Sequence, residues 1–171
     1  MKIGAHVSTA GGIDKAVDRA SELGAEAIQI FCSSPQGWAF KPLTQSITTT
    51  FTTKSRESGI SPVFLHGIYL INLGSPNPEL VHRSIETLVN YMNTAAELAA
   101  MGVIFHAGSH KGTGYEGIVQ QAVDALQEVI GRSPEGPCLI IENSAGMGHH
   151  IGSHFREIGR IIEAVGSPLV K

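Results

Sequence analysis

Five short apolar runs, each followed by a longer stretch of helical periodicity, leave this chain few folds to choose from. The runs are KIGAHV, AEAIQIF, PVFLHG, GVIFHAG and CLIIENSAG. Each is continuous in apolar residues rather than alternating, the pattern of strands covered on both faces, which is the habit of parallel sheets. After them come the amphipathic stretches GIDKAVDRASELG, TQSITTTFTTKSRESG, PELVHRSIETLVNYMNTAAELAAMG, YEGIVQQAVDALQEVIG and SHFREIGRIIEAVG, four of which end at or next to a glycine stop. Asn77-Pro78-Glu79 reads as a helix start, with Asn as the cap and Pro at the first position. Strand then helix, five times over with no linker or low-complexity tract, predicts one α/β domain spanning residues 1–171.

Two architectures fit that order. An open doubly wound sheet is complete with five strands, whereas a (β/α) barrel needs eight and typically about 250 residues. The last residues, GSPLVK, read as a loop and the first residues of a sixth strand. The expectation is a chain that stops within a unit, as the N-terminal portion of a longer barrel.

A net charge of -3 and a pI near 6.2 provide no broad basic field of the kind that marks many nucleic-acid binders. A phosphate-bearing partner would need a local positive charge, for example a metal. No run of eighteen apolar residues is present, and the opening MKIGAHVSTAGG has no charged-then-apolar leader, so the expected address is the cytoplasm, with no membrane partner. In that setting Cys32 and Cys138 are expected as buried, reduced thiols.

In both architectures the active site gathers at the C-terminal ends of the strands. Those ends carry His6, then Gln29 with the CSSPQGW loop, then His66, His106, and Glu142 with Asn143. His66, His106 and Glu142 are spaced one strand–helix unit apart, which places them side by side on successive strands. Two imidazoles and a carboxylate with one position open are the ligand set of a catalytic zinc. Asn143, Ser109 and His110 are placed to orient these ligands by hydrogen bonds, with a helix cap or solvated loop as the alternative for Ser109 and His110. His149, His150 and His154 follow a Gly-rich loop and are expected as surface residues. HVSTAGG matches neither G-x-G-x-x-G nor a P-loop, and there is no G-x-S-x-G elbow, so nucleotide binding and serine nucleophile chemistry are poorly supported.

Taken together, GAHVSTAGG, QIFCSSPQGW, HGIYLINLGSP, HAGSHKG and IENSAGMG resemble endonuclease IV, a zinc-dependent apurinic/apyrimidinic endonuclease of DNA base-excision repair. The resemblance runs the length of the chain. It implies the (β/α)8 TIM barrel family, here the first five β/α units and the start of the sixth strand, with a three-zinc cluster at the rim. The implied activity is cleavage of the phosphodiester 5′ to an abasic site by a zinc-activated hydroxide. Carried across by motif, His66 and His106 bind one zinc and Glu142, the catalytic carboxylate, bridges it to a second. His6 joins the residues that support the ligands. Tyr69 and Leu70 match the pair that enters the minor groove of the abasic duplex, with core packing beside the third strand as their other reading. Gln36 and Trp38 stand in the loop expected to meet DNA, Trp38 either lining the groove or covering the barrel.

Two positions depart from the family pattern: Gln36 stands where many bacterial members have arginine, and Ala107 where proline is common. The ligands of the remaining zincs are expected beyond the sixth strand, so this chain alone would complete only the His66, His106, Glu142 corner and would lack part of the active site. Family members are monomeric; an open five-stranded fragment is expected to self-associate. Two other readings stay open, a metal-dependent sugar isomerase or epimerase barrel and a non-catalytic fragment that binds zinc or DNA.

Overall fold

Strands and helices alternate without exception in the structure, a computed structural model that describes Met1 to Lys171. In chain order they are β1 (Gly4–His6), α1 (Lys15–Glu22), β2 (Ala27–Ile30), α2 (Gln45–Ser58), β3 (Val63–His66), α3 (Pro78–Glu97), β4 (Gly102–Phe105), α4 (Tyr115–Arg132), β5 (Cys138–Ile141) and α5 (Phe155–Val165). All five strands are parallel, in the order β1-β2-β3-β4-β5. A doubly wound sheet reverses direction at a switch point; this one always advances the same way, because every crossover leads to the next strand. The result is an arc of a TIM barrel. After β5 the chain begins a further pairing: the Leu139 and Ile141 amides donate to the carbonyls of Leu169 and Lys171, both at 2.8 Å, and Val170 lies opposite Leu139.

The helices cover one side of the sheet. On that side Ile28, Ile30, Val63, Leu65, Val103, Phe105, Leu139 and Ile141 are buried and form the centre of one continuous core. The opposite side carries Ala27, Gln29, Phe64, Ile104 and Ile140, all half-buried. Here the expectation of burial on both faces is corrected. The arc does not close, so its concave face lacks the opposing strands against which side chains pack in layers in a complete barrel.

Local chemistry ends the helices as the sequence suggests, with two exceptions. Asn77 Oδ1 accepts from the Glu79 amide at 3.0 Å and Pro78 opens α3, while Gly59 and Gly166 take the left-handed conformation after α2 and α5. The turn after α3 is made instead by Ala99, at φ 51°. In α4 the helix runs through Gly131 to Arg132, and Ser133 stops it by turning extended ahead of Pro134. No helix is long and apolar enough to cross a membrane.

Candidate metal centre

The rim at the strand C-termini brings His66, His106 and Glu142 together. Register explains how: His66 pairs with Ile104 on β4, and Ile104 with Ile140 on β5, so His66, His106 and Glu142 all project from the concave side of the sheet. Each offers one ligand atom, and these atoms lie within 4.8 Å of one another. His66 Nε2 is 2.9 Å and His106 Nε2 3.8 Å from the same Glu142 oxygen, Oε2.

The tautomer of His66 follows from its other nitrogen. Nδ1 lies 2.7 Å from the carbonyl oxygen of Gly67, which can only accept, so Nδ1 carries the proton. In the neutral ring Nε2 then holds a lone pair aimed at a carboxylate oxygen. Two lone pairs at 2.9 Å need a cation between or beside them, either a second proton on the ring or a metal ion. The carboxylate of Glu142 has no other hydrogen-bond partner in the protein, and His106 Nδ1 is buried with none at all. Buried polar groups are rarely left this way. Two imidazoles and one carboxylate, under-satisfied by the protein and converging on one point, fit a borderline cation such as zinc better than magnesium or calcium, which prefer oxygen ligands.

The residues expected to orient the ligands make no hydrogen bond to them, and for Ser109 and His110 the structure takes the alternative, a role within their own loop. His6 is exposed; its Nδ1 accepts from Gln29 Nε2 at 2.9 Å and its ring stacks near Phe31, with centroids 4.7 Å apart. Its pKa is lowered, mainly by desolvation and then by His66 nearby. Ser109 Oγ caps its own loop by accepting from the Lys111 amide, and His110 Nδ1 accepts from the Gly112 and Gly114 amides ahead of α4. Asn143 is exposed and makes no side-chain hydrogen bond. The group that does orient His66 is the backbone carbonyl of Gly67, for which no side-chain signature exists.

The sequence reading also missed Asn72. Buried between two loops, its Oδ1 accepts from the amides of Gly74 at 3.1 Å and Ser109 at 2.9 Å, tying the loop after β3 to the loop after β4. Gly108 makes the approach possible: at φ +95°, a Cβ there would lie 2.3 Å from Asn72 Oδ1.

The residues expected at DNA share one side of this centre. The Tyr69 amide donates to the Pro35 carbonyl at 3.0 Å, which sets Gln36, exposed at its turn, beside the Tyr69–Leu70 tip. Tyr69 is 59% exposed, which rules out the core-packing alternative for its ring, and packs edge-on to Phe31 and His66; Leu70 is half-buried. Trp38 is half-buried against the core with the Arg83 guanidinium 4.6 Å above its ring, so it covers the barrel wall. His149, His150 and His154 are exposed. Both cysteines are free.

Residues 17–171 match the family model described as xylose isomerase-like TIM barrel. A protein of Methanosphaerula palustris named "Probable endonuclease 4" is 40% identical over 171 residues, covering 98% of this chain and 60% of that protein. The crystal structure of endonuclease IV from Thermus thermophilus superposes with a TM-score of 0.84 at 31% identity, over 95% of this chain and 59% of that one. The chain belongs to the endonuclease IV family of xylose isomerase-like TIM barrels. It spans about three fifths of the length of the endonuclease IV relatives it matches. The D-psicose 3-epimerase structure, at 14% identity and a TM-score of 0.79, shares the fold alone.

Proposed function

We propose that this chain carries part of the active centre of a zinc-dependent endonuclease that cuts DNA on the 5′ side of an abasic site. One observation carries the reading: the His66, His106, Glu142 centre lies directly against Tyr69, an exposed aromatic ring on a loop tip, with the His66 and Tyr69 centroids 5.8 Å apart. A metal centre able to serve hydrolysis thus adjoins a wedge able to enter a base stack. The names of the relatives, endonuclease 4 and endonuclease IV, support the endonuclease part of this reading.

In this reading His66 and His106 bind the metal through nitrogen lone pairs, with Nδ1–H of His66 held by Gly67 so that its ring cannot turn. Glu142 would supply the anionic ligand, its carboxylate having no hydrogen-bond partner in the protein other than His66. When bound, zinc supplies Lewis acidity and lowers the pKa of water towards about 7. Its charge also provides the positive point that a chain of net charge -3 does not offer to DNA. Tyr69 and Leu70 enter the minor groove and hold the duplex open, with Gln36 beside them. The chain acts in the cytoplasm, and the outer edge of β1, unpaired in the sheet, favours self-association in isolation.

The test combines zinc content by mass spectrometry with incision of a duplex bearing one abasic site, for the wild type and Glu142→Ala. About one zinc per chain, lost in the variant, is expected. A chain that holds zinc but converts ketoses with manganese, and has no affinity for the abasic duplex, would replace this reading with a sugar-epimerase one.

A further inference from the structure

The loop tip that carries Tyr69 is fixed along its main chain. Ile68 and Ile71, on either side of the Tyr69–Leu70 pair, are each only 3% exposed and belong to the core. The Ile71 amide closes a turn on the Ile68 carbonyl at 3.3 Å, and the Tyr69 amide is held by Pro35. What the main chain leaves free is the Tyr69 side chain, which can swing about its own two torsions unless neighbours confine it. Its neighbours are two other rings. One is His66; the other is Phe31, one residue past the end of β2, with its plane at 75° to that of Tyr69.

Phe31 meets three rings at once. Its centroid lies 4.7 Å from that of His6, 5.2 Å from that of His66 and 5.5 Å from that of Tyr69. The last two contacts are edge-to-face, the arrangement aromatic pairs favour, and each such pair resists rotation of its members. Phe31 is itself anchored: it is half-buried, and its carbonyl accepts from Thr9 Oγ1 at 3.1 Å, which ties it to the loop after β1. His66 has its own tether in the Gly67 carbonyl and needs nothing from Phe31 to aim Nε2 at Glu142. The side chain of Phe31 is a hydrocarbon that can neither bind a metal nor hydrogen-bond to DNA, so packing is what it offers, and the partner left to be confined is Tyr69.

We propose that Phe31 is a positioning residue for the wedge: its ring holds the exposed Tyr69 ring in one orientation beside the metal centre before DNA arrives. The rotamer freedom that binding would otherwise remove is removed in advance, which strengthens binding without any new contact to the duplex. The proposal rests on the DNA reading above and deepens it by naming a residue that acts through Tyr69.

The experiment measures the preference of the zinc-loaded chain for a duplex carrying a tetrahydrofuran abasic analogue over an intact one, by fluorescence anisotropy at one fixed salt concentration. Phe31→Leu keeps an apolar side chain but removes the ring, and is expected to lower the preference roughly two- to tenfold, the worth of one aromatic pair. Phe31→Tyr keeps the ring and is expected to keep the wild-type preference. In a Tyr69→Ala background, Phe31→Leu is expected to change the preference by no more than about twofold, because the ring it positions is gone. Zinc affinity by calorimetric titration should be the same in Phe31→Leu and wild type. If Phe31→Leu prefers the abasic duplex as strongly as wild type, if its loss is as large without Tyr69 as with it, or if Phe31→Tyr shares the loss, Phe31 does not position the wedge and the DNA reading stands. A zinc affinity that falls together with the preference would also overturn the proposal, by assigning the ring to His66 instead. If the wild type does not prefer the abasic duplex to an intact one, both fall. Should Phe31→Leu fail to fold, Phe31→Met, whose flexible side chain fills irregular gaps, takes its place in the same comparison.

Discussion

His66 and Glu142 meet at 2.9 Å although β4 lies between their strands. Adjacent parallel strands are roughly 4.8 Å apart, so side chains two strands apart meet only where the sheet curves and both point into its concave side. The curvature of the arc is therefore what assembles the metal centre, and the ligands serve as its gauge.

Removing a ligand should cost metal rather than fold. Glu142→Ala and His66→Ala are expected to lower zinc affinity by about 100-fold or more, beyond the loss typical of residues that merely support ligands. Calorimetric titration with zinc measures it. Added zinc at about 100 times its dissociation constant should stabilise the wild type by about 2.7 kcal/mol, and chelation should reverse the gain in melting temperature.

Tyr69 and Leu70 offer a separation of binding from metal chemistry. Because Tyr69 is exposed and Leu70 only half-buried, alanine at both should leave zinc content unchanged. Preference for abasic over intact duplex should fall by about 1–3 kcal/mol for Tyr69→Ala, the usual worth of an aromatic ring stacked on a base. Equal preference in wild type and variant, read in the same anisotropy assay, would remove the wedge from the mechanism.

Gly108→Ala should be among the most costly single methyl additions in the rim. Its φ is +95° and the new Cβ would lie 2.5 Å from Asn72 Cα, so backbone as well as side chain would have to shift. Urea denaturation is expected to show a loss of about 1–3 kcal/mol or more. The two loops that Asn72 joins would part, weakening duplex binding as well.

Acid sensitivity should trace in part to Lys54. It binds Asp14 Oδ2 at 2.9 Å and Asp18 Oδ2 at 2.7 Å, and these hydrogen bonds hold both carboxyls below their ordinary 3.8. A carboxyl depressed in the folded state stabilises it fully above the unfolded value and ceases to do so as pH falls through the lower folded one. The urea midpoint of Lys54→Met should therefore trail the wild type by a constant amount from about pH 5 to 7, and the gap should close below about pH 3.8. A gap that widens on acidification would contradict the assignment.

The two free cysteines should react differently. Burial pushes the Cys32 thiol up to about 12, leaving almost no thiolate at neutral pH. Cys138 lies half-buried on the open side of the sheet. Native protein is expected to take up Ellman's reagent at Cys138 alone, and both thiols should react in denaturant.

Much of this protein could be read from local sequence. Continuous apolar runs mark the strands and a 3.6-residue apolar periodicity the helices, because both patterns are written locally along the chain, whereas the half-covered face of the strands left no alternation to read. Asn77-Pro78 and the glycines at 59 and 166 mark helix ends, because a cap satisfies groups within the same turn. His66, His106 and Glu142 were legible as a set, since strand ends one unit apart must share a rim. Tertiary structure alone decided what happens between loops. The Pro35–Tyr69 bond, the Ser109 amide that meets Asn72 and the Gly67 carbonyl on His66 each involve a backbone group that every residue carries, and so the pairing has no residue-type signature. His110 and Ser109, readable from sequence either as supports of the ligands or as loop caps, take the second role and accept from the amides of their own loop. How far the sheet curls, and therefore which face stays half-covered, depends on how many strands pack together, a property of the assembled layers rather than of any one segment.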